Sequence, residues 1–337
     1  SVVLSIDISG DWAVWMESNL WSGNYWHMHN MKTNERKTIN SGADFSVYEN
    51  KLIAHGVIMN NFTSENLATY NMDTGEIKEY VMELPPPIPG QYKYHLYEIF
   101  ALDNKVAGTM YRENDIREVF FYDMVKCGKL QQISSDTEHD KKNPRIAGNS
   151  IVWEEQWPDG SGGVYYKLIQ HDMTTGQKTT IASNLLDIST YSTWKDLVVW
   201  QDPSTLDFVV YNTTTGKKEI ISNLTDGLAY QIAASANKIV WSGPLADYQQ
   251  VFEYNLVTKK KKAVKFVPDI VEELRASGDR TLWNRWFITS VNDPLAKTPK
   301  FDAVEDKIIR EGNLLEFKVR ATDENGDSLS FTHPLAD

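Results

Sequence analysis

Short runs in which apolar and polar residues alternate return along this chain at a near-constant spacing, each run closed by turn chemistry. The stretch from Ile146 to Ala182 is the clearest copy. It holds a short apolar strand start (Arg145 to Gly148), a strand ending in Trp (Ser150 to Trp153), a loop, and a strand from Val164 to His171. The turn Asp172-Met173-Thr174-Thr175-Gly176 and a last strand from Lys178 to Ile181 complete it. Alternation with period two marks strands with one buried face. Asp or Asn binds its own backbone two residues on, and Gly accepts positive φ, so the Asx-to-Gly phrase predicts a tight turn. Four short strands per repeat predict a propeller blade.

Two markers count the copies. Trp15, Trp153, Trp200, Trp241 and Trp283 close similar strand phrases, and the last four of them lie 47, 41 and 42 residues apart. The gap of 138 residues between Trp15 and Trp153 leaves room for two more copies, filled by Asn50 to Ala54 and Asn104 to Gly108. Turn phrases begin near Asn30, Asn71, Asp123, Asp172, Asn212 and Asn255. Six turn phrases thus stand against seven strand phrases. The fold class expected is all-β: a β-propeller of six to seven four-stranded blades. The count favours seven, the last being composite and completed by the apolar Ser1 to Ser5 at the other terminus. The periodic Trp residues are expected to pack between blades.

Two insertions break the rhythm: the proline-rich Leu84 to Gly90 and the loop Gln156 to Gly163. Each is either a recognition loop on a rigid scaffold or drift in surface-loop length. After Val291 the rhythm changes. The expected organisation is a propeller over 1–291, a linker over 292–299 with two Pro, and an incomplete segment over 300–337. In that segment Leu315 to Ala321 alternates as a half-buried strand.

The repeats resemble the TolB-type propeller family, whose copies carry a Gly-x-x-Ile-Val-Trp strand and a Tyr-x-Tyr-Asp-x-x-Thr-Gly turn. The resemblance covers roughly residues 1 to 290 and is clearest in the fourth to sixth copies. The tail resembles the start of an immunoglobulin-like or cadherin-like module: Asn292-Asp293-Pro294 as a joint, Arg310-Glu311-Gly312 before a strand, Ala321 to Asp327 after it. Archaeal and bacterial surface proteins join such propellers to such modules, so the resemblance implies an extracellular, cell-surface protein. It implies no single activity.

A formal charge of −12 argues against a nucleic-acid partner, whose phosphates need a basic face. No apolar run approaches the length of a membrane-spanning helix. The single cysteine, Cys127, can form no intramolecular disulfide and has no recognisable catalytic context.

Candidate chemistry is sparse. Asp323, Asn325 and Asp327 place three oxygen side chains at alternate positions around Gly326, which suits calcium and equally suits an ordinary turn. In the module that the tail resembles, further ligands come from the joint and strand, where Asp293, Glu305 and Glu311 match. Calcium is the one cofactor suggested. Aromatic residues outside the repeat (Trp21, Tyr25, Trp26, Trp157 and Trp286) are candidates for a binding surface if they share one mouth of the ring. His27 and His29 share a strand face but lack an identifiable third metal ligand. Glu154, Glu155 and Asp202 follow the periodic Trp and read as solvated strand ends. No catalytic triad, phosphate loop or zinc spacing is present, so no catalytic residue is assigned.

The function expected is a structural or binding module whose partners are other surface proteins or glycans. The alternative is a polysaccharide lyase or hydrolase with its active site at the propeller channel.

Overall fold

The computed structural model describes residues 2–19, 23–41, 44–55, 58–59, 62–63, 66–83, 96–111, 116–126, 128–136, 138–186, 191–225, 227–245, 248–267, 271–285, 288–292, 300–301 and 321–322. Every regular element among them is a strand, and no helix there is long and apolar enough to cross a membrane. The chain separates into two compact units, residues 1–292 and residues 293–337.

The first unit is a β-propeller with six four-stranded antiparallel blades among the described residues. Blade 1 runs Val2–Ser9, Trp12–Asn19, Gly23–Asn30, Arg36–Ser41. Blade 2 runs Phe45–Tyr48, Lys51–His55, Leu67–Asn71, Ile77–Tyr80. Blade 3 holds Tyr97–Leu102, Lys105–Tyr111, Arg117–Asp123 and the short Gln131–Gln132. Blade 4 holds Lys141–Ala147, Ser150–Pro158, Val164–Asp172, Lys178–Leu185. Blade 5 holds Ser192–Trp194, Leu197–Gln201, Phe208–Asn212, Lys218–Ile221. Blade 6 holds Gln231–Ser235, Lys238–Leu245, Tyr248–Asn255, Lys260–Val267. A three-stranded sheet follows (Glu273–Ser277, Arg280–Arg285, Ile288–Asn292), its first strand packed against the inner strands of blades 6 and 1.

One expectation is corrected. Val2–Ser9 does not complete the last sheet: it pairs with Trp12–Asn19 as the inner strand of blade 1. The two-residue turn at Gly10 and Asp11 folds the strand straight back onto Trp12–Asn19, so a hairpin formed within one repeat takes it. The seam between the three-stranded sheet and blade 1 is closed by side chains instead. Gly10 N donates to Ser277 Oγ (3.1 Å), and Arg280 reaches Asp11 at 2.6 Å.

All six turn phrases form as their residues predict. The Oδ1 atoms of Asn30, Asn71, Asp123, Asp172, Asn212 and Asn255 each accept two backbone N–H groups two and three residues on, at 2.8–3.2 Å. Gly176 and Gly216 then take positive φ (73° and 69°), where a Cβ would be strained.

The core lies between blades. Trp153, Trp200, Trp241 and Trp283 are at most 4 % exposed, and each joins a cluster shared with the preceding blade. Trp15 is only half-buried, packed on the cluster around Leu282 and stacked on His27 at 5.4 Å. A lysine at the start of the outer strand lies over three of these rings: Lys178 on Trp153, Lys218 on Trp200 and Lys261 on Trp241, at 5.6–5.8 Å. The alkyl stem covers indole surface while the ammonium gains from the ring face.

Candidate functional site

The inner strands surround a channel cavity of about 1080 Å³, lined by residues from every sheet of the ring. An inner strand pairs on one side only, so the N–H groups on its free edge need partners. Side chains of the preceding sheet supply them. Glu273 Oε2 accepts from Ile6 N (2.6 Å), and Asp7 Oδ2 accepts from Val47 N (2.6 Å). Ser46 Oγ accepts from Ala101 N (3.1 Å), Glu98 Oε2 from Asn143 N (2.9 Å) and Ser192 Oγ from Ala234 N (2.9 Å). Polar residues on the inner strands are therefore fixed first as bridges between blades.

Within this belt Asp7, Arg145, Tyr191, Glu273 and Arg275 line the cavity together. Glu273 and Arg275 are two apart on one strand and so share a face, with Arg275 Nη2 3.4 Å from Glu273 Oε1. The Arg145 side chain makes no hydrogen bond or ion pair among the described residues; its guanidinium lies 4.9 Å from the ring centre of Phe100. Tyr191 Oη donates to Val152 O (2.7 Å) and also contacts Asn143 O.

The protein atoms packed around these groups set the electrostatics, although Asp7, Arg145, Glu273 and Arg275 are only half-buried. Burial pushes the Asp7 and Glu273 carboxyls up despite the nearby Arg275 guanidinium and the backbone N–H groups they accept. Burial and the Arg275 charge hold Arg145 below its ordinary value, and burial raises the Tyr191 phenol. A carboxyl whose folded value is raised adds stability below its unfolded value and loses it as pH rises through the folded value. Glu273→Gln, which keeps an oxygen for Ile6 N, is expected to gain about 1 kcal/mol over the parent at pH 7.5 and nothing at pH 3.5. Urea unfolding at the two pH values checks it; a gain equal at both would show that the ionised form is not penalised.

The residues singled out in the sequence scatter. Trp26 is fully buried, edge-on to Phe45 at 5.9 Å in the core between blades 1 and 2, so its ring is not available to a ligand at the surface. Its neighbour Tyr25 is half-buried on the same strand. Trp157 stands at the end of the second strand of blade 4, stacked on His139 at 3.6 Å. Trp21, Trp286 and the calcium candidates Asp293, Glu305, Glu311, Asp323, Asn325 and Asp327 lie outside the described residues, as does Cys127. His27 contacts Glu17 (3.3 Å) and Thr38 (2.9 Å), whereas His29 turns to Asn34. Glu154 and Glu155 are not solvated ends. They are 7 % and 9 % exposed: Glu154 accepts from Asn143 Nδ2 on the inner strand of the same blade at 2.8 Å, and Glu155 lies near Asp136 and His139 of the segment before it.

The channel charges escaped the sequence reading. A signal exists: Asp7 sits between Ile6 and Ile8, and Glu273 and Arg275 flank Leu274 in strands whose apolar pattern reads as buried. A charge inside such a strand must find a partner or a purpose. Which charges meet depends on ring closure, which the local pattern does not encode.

No protein-family model matches the chain, and no curated protein matches it in sequence. Solved structures do match in fold. The β-propeller domain of the Trilobed protease from Pyrococcus furiosus, described as having an open velcro topology, aligns with 86 % of this chain and 91 % of its own at TM-score 0.57 and 8 % identity. An acylaminoacyl peptidase from Pyrococcus horikoshii aligns at TM-score 0.61 and 11 % identity over 87 % of this chain but 51 % of its own. An oligogalacturonate lyase in complex with manganese aligns at TM-score 0.51 and 11 % identity over 76 % of this chain and 74 % of its own. The chain thus spans about half the length of the peptidase, and at these identities the likeness shows the propeller fold alone.

Proposed function

We propose that the chain is a non-catalytic binding module of an extracellular surface protein, and that its propeller channel receives a carboxylate-bearing group of a protein or glycan partner. The observation that carries this reading is Arg145: a guanidinium in the cavity wall, beside an aromatic ring and a second arginine, with no carboxylate bound to it. Arginine pairs with carboxylates through two parallel hydrogen bonds, and low dielectric strengthens that contact. Asp7 and Glu273 argue for binding over catalysis, since each already accepts a backbone N–H across a seam. The surface setting and the TolB-type and immunoglobulin-like or cadherin-like assignments rest on the sequence resemblance.

Oligogalacturonates and short peptides with a free C-terminus are the probes of choice, titrated into the full chain by calorimetry. One class is expected to bind, with affinity reduced at least about tenfold in Arg145→Gln. Binding unaffected by that change would remove the channel from the reading. The raised carboxyls of Asp7 and Glu273 favour one second reading, a lyase or hydrolase acting in the channel. Shortening of the oligogalacturonate on incubation, abolished in Glu273→Gln, would establish it instead.

A further inference from the structure

A second group of functional side chains lies away from the channel wall. Asp136 and His139 come from the segment that leads from the outer strand of blade 3 into blade 4. Glu155 comes from the second strand of blade 4. One donor atom from each, a ring nitrogen and two carboxylate oxygens, lies within 4.8 Å of the others. Asp136 and His139 Nδ1 are already hydrogen-bonded. Trp157 stacks on the His139 ring, and its Nε1 donates to Glu155 Oε1 at 2.9 Å, so a single indole orients two members of the group.

The charges nearby make this group unusual. Glu155 is 9 % exposed and forms no ion pair among the described residues, although its register partners on both sides are lysines. Lys141 turns instead to Glu118 Oε1 (3.2 Å) and to the Asp136 carbonyl. Lys167 sits over the Trp157 ring, 3.2 Å from its centre. Lys141 thus neutralises Glu118, while the carboxylates of Asp136 and Glu155 converge on His139. A buried carboxylate that rejects two adjacent ammonium groups calls for another cation.

The geometry points to a divalent metal site formed by Asp136, His139 and Glu155, of the zinc class. One imidazole nitrogen with two carboxylate oxygens suits zinc or a neighbouring first-row ion better than calcium, which prefers more numerous oxygens. Three protein ligands leave a coordination position for water or an incoming group. The Trp157–Glu155 hydrogen bond is the outer support that metal-binding carboxylates commonly have. This site is independent of the channel, so its fate and that of the channel reading are separable.

Zinc chloride titrated calorimetrically into the untagged full chain is expected to show one saturable site. His139→Gln and Glu155→Gln should each weaken it at least about tenfold, and His27→Gln, in blade 1, should leave it unchanged. Cobalt(II) gives a second readout: a visible absorption band in the parent that is absent from His139→Gln. His139 lies in a loop and is half-buried, so this variant remains informative even if Glu155→Gln fails to fold. No saturable zinc uptake up to about 1 mM, uptake equal in parent and variants, or a cobalt band that persists in His139→Gln would each overturn the proposal.

Discussion

Lys141→Met is expected to cost about 3–5 kcal/mol of stability, the range for breaking a buried ion pair from one side. Lys141 has no exposed surface, and Glu118 is 1 % exposed. The pair joins the inner strand of blade 4 to the third strand of blade 3 at 3.2 Å, and Ser134 Oγ donates to the same carboxylate. Removing the ammonium leaves Glu118 charged in a dry seam. Burial already pushes the Glu118 carboxyl up, held in check by Ser134 and Lys141. Without Lys141 it rises further, so the variant recovers part of its loss when acid protonates Glu118. Urea unfolding at pH 7.5 and at pH 4 measures both effects. The double variant Lys141→Met with Glu118→Met should be more stable than Lys141→Met alone, because no charge is then stranded. A double variant at least as unstable as the single one would show that packing, not the charge pair, sets the cost.

Trp241→Ala should cost a similar amount, about 3–5 kcal/mol. Its side chain is fully buried between blades 5 and 6, with Phe208 at 5.0 Å and Phe252 stacked at 5.4 Å. Ile221, Leu224 and Tyr254 belong to the same cluster, so apolar side chains line the cavity that the truncation leaves. The indole Nε1 finds no hydrogen-bond partner among the described residues, so Trp241→Phe loses volume without losing a hydrogen bond to them. That variant should retain most of the stability. The equivalent change at Trp15, which is not fully buried, should cost less. The shift in urea midpoint across the three variants is the measurement. Equal losses at Trp15 and Trp241 would mean that the periodic Trp does not act through burial between blades.

The two effects differ in how far the chain announces them. Trp241 is legible because Trp153, Trp200 and Trp283 recur at nearly the same spacing, and these four share one buried environment between neighbouring sheets. The Asx turns are legible for the same reason: Asp172 or Asn212 satisfies its own backbone within three residues, so nothing distant is needed. Lys141 carries no such mark. It reads as one more surface lysine until blade 3 closes over it.

Local sequence therefore determined the strands, their turns and the stacking of blades, since each depends on contacts within one repeat or with the next. Tertiary structure alone decided what the charged residues do. Asp7 and Glu273 are 266 positions apart, yet both face the channel because the ring returns the last sheet to the first. Val2–Ser9 pairs with Trp12–Asn19 in its own blade and not with the last sheet. Asp136 and His139 meet Glu155 because the segment between blades 3 and 4 comes back beside the second strand of blade 4. Charge pairing acts through space at short range, and in a ring that distance is set by closure.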